Sequence, residues 1–193
     1  MTTSSGIDAA LVARVMAGDD RRATVELRVV GTASSALRGI ATAANDVDVV
    51  FRERAGVDEW FGALAADGEV LHEPRWLAPS CQYFARVRVV GAVVELSTVE
   101  IDDDGDTNEC FGRGPWTHFD VVVHGTTAIP VVATELRLIT EIVRGRRDRI
   151  GPLVERLRRG PCDRALVRRG LTRAAIAPDD AARLLTALGE TER

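Results

Sequence analysis

GTASSALRGIATAANDVDVVF, residues 31–51, sets two aspartates into a run of valines. Side chains alternate along a strand, so Asp46 and Asp48 share one face while Val47 and Val49 turn to the other, toward a core. Each residue advances about 3.3 Å, which spaces the two carboxyl groups by roughly 6–7 Å. Like charges that close repel, and a cation above or between them relieves the repulsion. Aspartate is also a poor strand former. A strand that keeps two of them against its own propensity has the pattern of a functional site. The same pair on the solvent face of an ordinary half-exposed strand would be inert.

Upstream, TVELRVV (24–30) alternates and then turns wholly apolar, as a strand does, and Gly31 ends it. Residues 33–38 form a short helix candidate. Glycine at that junction lets the backbone approach an anion, while Thr32 and Ser34 bring hydroxyls to a helix N-terminus, a place that holds phosphate. Downstream, in AVVELSTV (92–99), Glu95 stands between Val94 and Leu96, an acid inside another apolar strand. If that strand lies beside DVDVV, then Asp46, Asp48 and Glu95 converge on one sheet surface. Three carboxylates there make a hard-oxygen site for Mg²⁺ facing substrate phosphates. Such a site holds two ions about 3.5–4 Å apart, one at the attacking and one at the leaving oxygen.

The rest of the chain supplies a frame. Residues 7–17 carry helical spacing, with Gly18 as a stop, and 56–67 read as a second helix that stops at Gly68. RVRVVGAVVELSTVEI (86–101) is two strands joined near Gly91, or one long strand with a bulge there. His72, Glu73 and Pro74 suggest a loop. DDDGDTNECFGRG (102–114) is a polar loop whose acids resemble a calcium loop, but Arg113 stands where the twelfth-position glutamate belongs. HFDVVVHG is a further strand. From about residue 133 the chain is helical, punctuated by Gly160-Pro161 and Pro178 into three or so helices. The expected class is α+β: a mixed sheet flanked by helices, then a helical C-terminal part. Residues 1–130 form the α/β core and 131–193 an arginine-rich helical part packed on it as one structural unit.

All 25 basic residues are arginine, which excludes any mechanism built on lysine. Net charge is −4, unevenly spread: residues 137–173 hold 12 arginines against four acids, net +8, and the remainder is −12. Local charge governs contact with a polyanion, so the basic segment is a candidate nucleic-acid surface. Apolar runs fall far short of the roughly 20 residues that span a bilayer. The N-terminus lacks a signal peptide's basic and apolar regions. Three cysteines without a CxxC pattern fit reduced thiols. Together these place the chain in the cytoplasm, away from membranes. His72, His118 and His124 have no partner at metal-ligand spacing.

The order strand, glycine-hydroxyl turn, short helix, D-V-D strand and later acidic strand resembles the nucleotidyltransferase superfamily of the polymerase-β type. It is more specifically similar to AbiEii-like nucleotidyltransferases, which include the mycobacterial MenT toxins. VGTASSAL…NDVDVVF looks like their GGTAL…D-h-D motif (h apolar), and IPVVATELRLITEIVRGRRDRI (129–150) looks like their second half. The likeness covers about residues 29–150. It implies Mg²⁺-dependent transfer of a nucleoside monophosphate from an NTP to the 3′ end of tRNA, by the toxin of a toxin–antitoxin pair. Gly31, Thr32 and Ser34 would hold the triphosphate. Asp46 and Asp48 would bind metal, and Glu95 would bind metal or act as general base. The family's second-half lysine is absent, which leaves Arg137 or Arg144 for its phosphate contact, although arginine binds as a planar fork. Val30 replaces the first glycine, and Asp148 falls in the family's "RD" turn. A cognate antitoxin, a kinase in some related systems, would silence the site through Thr32, Ser34, Ser35 or Thr42. Two other readings stay open: a small-molecule (antibiotic) or protein acceptor, and an inactive fold kept as a binding module.

Overall fold

The protein is described from a computed structural model covering residues 6–17 and 25–189. The expected helix stop at Gly18 and the first residue of the expected strand at Thr24 lie outside the described residues. The chain divides into two compact units, one of residues 1–102 and 119–131, the other of 103–118 and 132–193. Residues 103–118, which the sequence assigned to the sheet-bearing part, thus group with the helices.

In the first unit the elements run α1 (Ala9–Met16), β1 (Leu27–Val30), α2 (Gly31–Leu37), β2 (Val47–Phe51), α3 (Arg54–Ala65), β3 (Glu69–Leu77), β4 (Gln82–Val89), β5 (Ala92–Val99), β6 (Phe119–His124) and β7 (Thr127–Val132). The strands form one sheet in the order β3-β4-β5-β2-β1-β7-β6. β2, which carries Asp48, is the central strand, antiparallel to β1 and parallel to β5. Alternation decides sidedness. Leu27 and Val29, Val47 and Val49, Val94 and Leu96 turn to one face, and Val12 of α1, Leu37 of α2 and Trp60 of α3 complete that core. The intervening residues, among them Asp48 and Glu95, therefore belong to the opposite face.

Two strands differ from expectation. His72-Glu73-Pro74 lies within β3, not in a loop; β3 is an edge strand with register shifts between Val70 and His72 and between His72 and Arg75. Bulges of this kind give a proline a place in a ladder to which it cannot donate. Pro130 likewise hides β7, which shares the register pair Val29↔Val131 with β1. The choice left open at Gly91 resolves to a hairpin: Val90 and Gly91 both have positive φ (45° and 85°), the pairing Val89↔Ala92 closing around them.

The second unit contains a short helix, α4 (Gly114–Thr117), then α5 (Thr134–Val143), α6 (Arg147–Arg159), α7 (Arg164–Arg173) and α8 (Pro178–Ala187), one helix more than the punctuation suggested. Gly145, at φ 66°, makes the extra break. α5 and α7 approach closely at Gly170, where a Cβ would stand 2.6 Å from Ile139 Cγ1. Asp163 caps α7 by accepting from the Leu166 N–H at 2.9 Å. No helix among the described residues is long and apolar enough to cross a membrane.

Candidate active site

Asp46 immediately precedes β2, Asp48 lies within it, and Glu95 is the register partner of Asp48 on the parallel neighbour β5. One oxygen from each carboxylate lies within 4.8 Å of the others, closer than strand spacing alone provides. All three groups are half-buried. Among the described residues this is the one His/Cys/Asp/Glu cluster with metal-binding spacing. Three carboxylate oxygens with room for water suit a hard divalent cation.

The glycine turn is built against this cluster. β1 passes into α2 without a loop, and Val30 pairs with Asp48, so Gly31 stands directly over the Asp48 side chain. Gly31 has φ +63°, and a Cβ there would collide with Asp48 Oδ2. Glycine is thus demanded twice, by backbone conformation and by the carboxylate. Thr32, Ser34 and Ser35 are buried, and the Ser34 hydroxyl donates to the Gly31 carbonyl at 2.7 Å, bracing the turn.

Arg137 lies on α5 in the second unit, 2 % exposed, ion-paired with Glu109 and Glu141, each 1 % exposed. Arg149 reaches Glu141 at 3.1 Å. Burial pushes the Glu109 carboxyl above its usual range, against the pull of Arg137 and Arg144. The Arg137 guanidinium is therefore spent on internal carboxylates. Asp148 is exposed beside Arg146 and Arg149, and the Arg146 hydrogen bond holds its carboxyl below the ordinary range. Of the histidines, His118 contacts Asp106 at 3.1 Å, His72 packs edge-to-face on Phe84, and His124 is exposed. None of the three cysteines is in a disulfide.

One site neighbour escaped the sequence reading. Arg86 on β4 is the register partner of Glu95 and donates a hydrogen bond to Glu95 Oε1. The signal lay in the hairpin: once Val90-Gly91 is the turn, counting back pairs residue 86 with 95. A straight row results across four strands, Val30–Asp48–Glu95–Arg86, continued by His72 on β3.

No protein-family model matches the sequence, and no curated protein matches it. Solved structures do. A structure described as a candidate nucleotidyltransferase from Thermotoga maritima aligns with a TM-score of 0.53 at 18 % identity, over 77 % of this chain and 89 % of that one. The fold is that of a nucleotidyltransferase. Looser likenesses are an antigenic nucleotidyltransferase-like protein from Paracoccidioides brasiliensis (TM-score 0.48, 13 % identity, 93 % and 90 % of the two chains) and ANT(2″)-Ia bound to adenylyl-2″-tobramycin (0.45, 15 %, 94 % and 96 %).

Proposed function

We propose that this protein is a Mg²⁺-dependent nucleotidyltransferase that moves a nucleoside monophosphate from an NTP to the 3′ end of tRNA, as the toxin of a toxin–antitoxin pair in the cytoplasm. The observation that carries the chemistry is the convergence of Asp46, Asp48 and Glu95 within 4.8 Å, next to a glycine turn, on this fold. The fit to a hard cation is good, because all three donors are carboxylate oxygens and none is buried away from solvent. Bound Mg²⁺ supplies Lewis-acid charge at the attacking hydroxyl and the departing pyrophosphate. Asp46 and Asp48 hold that charge, and Glu95 completes the set or takes the acceptor's proton. The acceptor oxygen forms a bond to the α-phosphorus, the bond from that phosphorus to pyrophosphate breaks, and the hydroxyl proton passes to a site carboxylate. Gly31 and Thr32 form the turn for the triphosphate, with Ser34 fixing its shape. Arg137, as a phosphate contact, would first have to leave Glu109 and Glu141.

The tRNA acceptor rests on the arginines of α6 and α7. A second reading, a small-molecule acceptor, draws on their pairing. Asp103 and Asp106 engage Arg173 and Arg169 at 2.5 and 2.7 Å, and the whole second unit holds 15 arginines against 13 acids, net +2. Silencing by a kinase antitoxin meets a barrier: Thr32, Ser34 and Ser35 are 6 %, 1 % and 2 % exposed, and the Thr42 hydroxyl oxygen is buried. Modification requires the 31–42 segment to open, and mass spectrometry after co-expression with the antitoxin detects it.

Incubation with total tRNA, Mg²⁺ and each α-labelled NTP, beside Asp46→Ala, tests the main reading. Label enters tRNA from one or two NTPs and vanishes in the variant. Nucleotide binding without label in tRNA selects the small-molecule or protein acceptor, and absence of nucleotide binding leaves an inactive binding module. Arg158→Glu with Arg159→Glu weakens tRNA binding and flattens its salt dependence; unchanged affinity removes tRNA from α6.

A further inference from the structure

A polyphosphate arriving beside three carboxylates needs cationic protein groups, and the arginine expected to supply one, Arg137, is enclosed by Glu109 and Glu141. We infer that Arg86 is the polyphosphate-binding residue of this site, with Glu95 as its anchor. The inference rests on the nucleotidyltransferase reading and adds to it a residue and a mode of action. Strand register sets Arg86 one strand from Glu95 and two from Asp48. The Arg86 side chain is 44 % exposed while that of Glu95 is 21 % exposed, so the pair presents its cationic member outward. A guanidinium carries five N–H donors in a rigid fork. The bond to Glu95 Oε1 runs from Nη2, and among the described residues the other donors stay available to a phosphate oxygen. Phe84, the next residue on the same face of β4, lies with its ring centroid 5.8 Å from the Arg86 guanidinium carbon and limits its swing.

Arg86 therefore acts with opposite sign on the two ligands. Its positive charge beside Glu95 works against a second cation in the carboxylate cluster, and the same charge attracts phosphate. The test uses Arg86→Ala and Arg86→Lys, with Mn²⁺ affinity measured by electron paramagnetic resonance without nucleotide. Affinity for an α,β-methylene NTP in Mg²⁺ is measured by calorimetry, and thermal melts control for folding. Arg86→Ala binds Mn²⁺ about threefold tighter and the nucleotide analogue about tenfold weaker; Arg86→Lys recovers part of the nucleotide affinity. A merely structural role would weaken both ligands together. Unchanged nucleotide affinity in a folded Arg86→Ala protein, or parallel loss of both affinities, overturns the inference while leaving the nucleotidyltransferase reading in place. A wild-type chain that binds neither Mn²⁺ nor the analogue overturns both.

Discussion

Two groups of carboxylates occupy this chain, and they are built in opposite ways. In the helical unit, Glu109 and Glu141 are fully buried, and the chain supplies its own cation, Arg137, with Arg149 behind it. In the sheet unit, Asp46, Asp48 and Glu95 stand half-exposed within 4.8 Å, and Arg86, itself 44 % exposed, pairs with Glu95. Burying charge is costly unless it is paired, so the first arrangement exists only because it is closed. The second stands where solvent and ions reach it. The closed cluster is built as a structural element, whereas the accessible one is the cluster that the proposed function assigns to a metal ion.

Removing one acid from each cluster separates the two arrangements most strongly. On the proposed function, Asp48→Asn lowers nucleotidyl transfer by about 10³-fold, the scale of losing a charge that would hold the metal. The same substitution raises the melting temperature in EDTA by a few degrees, because it relieves like-charge repulsion. Glu141→Gln does the reverse, leaving Arg137 under-compensated and the protein less stable. Should Asp48→Asn melt lower than wild type in EDTA, the sheet cluster would be as self-sufficient as the helical one.

Arg137→Ala comes next, destabilising by about 3–5 kcal/mol because buried Glu109 loses its ion-pair partner and Glu141 keeps Arg149 alone. Replacing the trio as Glu109→Gln, Arg137→Met, Glu141→Gln restores most of that loss, since a buried ion cluster is often nearly neutral against an uncharged one. Chemical denaturation of the two variants decides it. Gly31→Ala follows at roughly 1–3 kcal/mol from its positive φ, with loss of Mn²⁺ binding because the new Cβ drives Asp48 aside. An intact Mn²⁺ site in a folded Gly31→Ala protein would separate the turn from the metal cluster.

The two clusters also differed in how far the sequence displayed them. Asp46, Asp48 and Glu95 were legible because strand alternation is rigid and valines mark the inner face; an acid between two of them has one place to go. Gly31 was legible as a turn, but its contact with Asp48 depends on the Val30↔Asp48 register, which the local sequence does not encode. Arg86 was hidden for the same reason, by an unresolved choice between hairpin and bulge at Gly91. Glu109 read as part of a polar loop and Arg137 as a phosphate ligand. Their pairing joins residues 28 apart, a long-range contact that periodicity cannot show. β3 and β7 were lost to their prolines, which silence the strand signal while bulges and sparse pairing accommodate them.

The smallest effect tests whether the acidic loop is a third, intermediate kind of cluster. Asp103 accepts from Arg173 at 2.5 Å and from the Gly105 N–H at 2.6 Å, and Asp106 accepts from Arg169 at 2.7 Å. Both carboxyls are held below their ordinary value of 3.8, first by the arginine hydrogen bonds. A depressed carboxyl contributes stability that is complete above its unfolded pKa and is lost as pH falls through the folded one. The loop thus stays docked on α7 at neutral pH and loosens only below about pH 3.8. These pairs are solvent-accessible, so screening keeps their worth small. Carboxyl-carbon NMR titration should find Asp103 below the ordinary value in the wild type and returned toward it in Arg173→Ala. An Asp103 that titrates normally in both would mean that the loop acids leave α7 free, and the arginines counted as neutralised would again be available to a phosphate backbone.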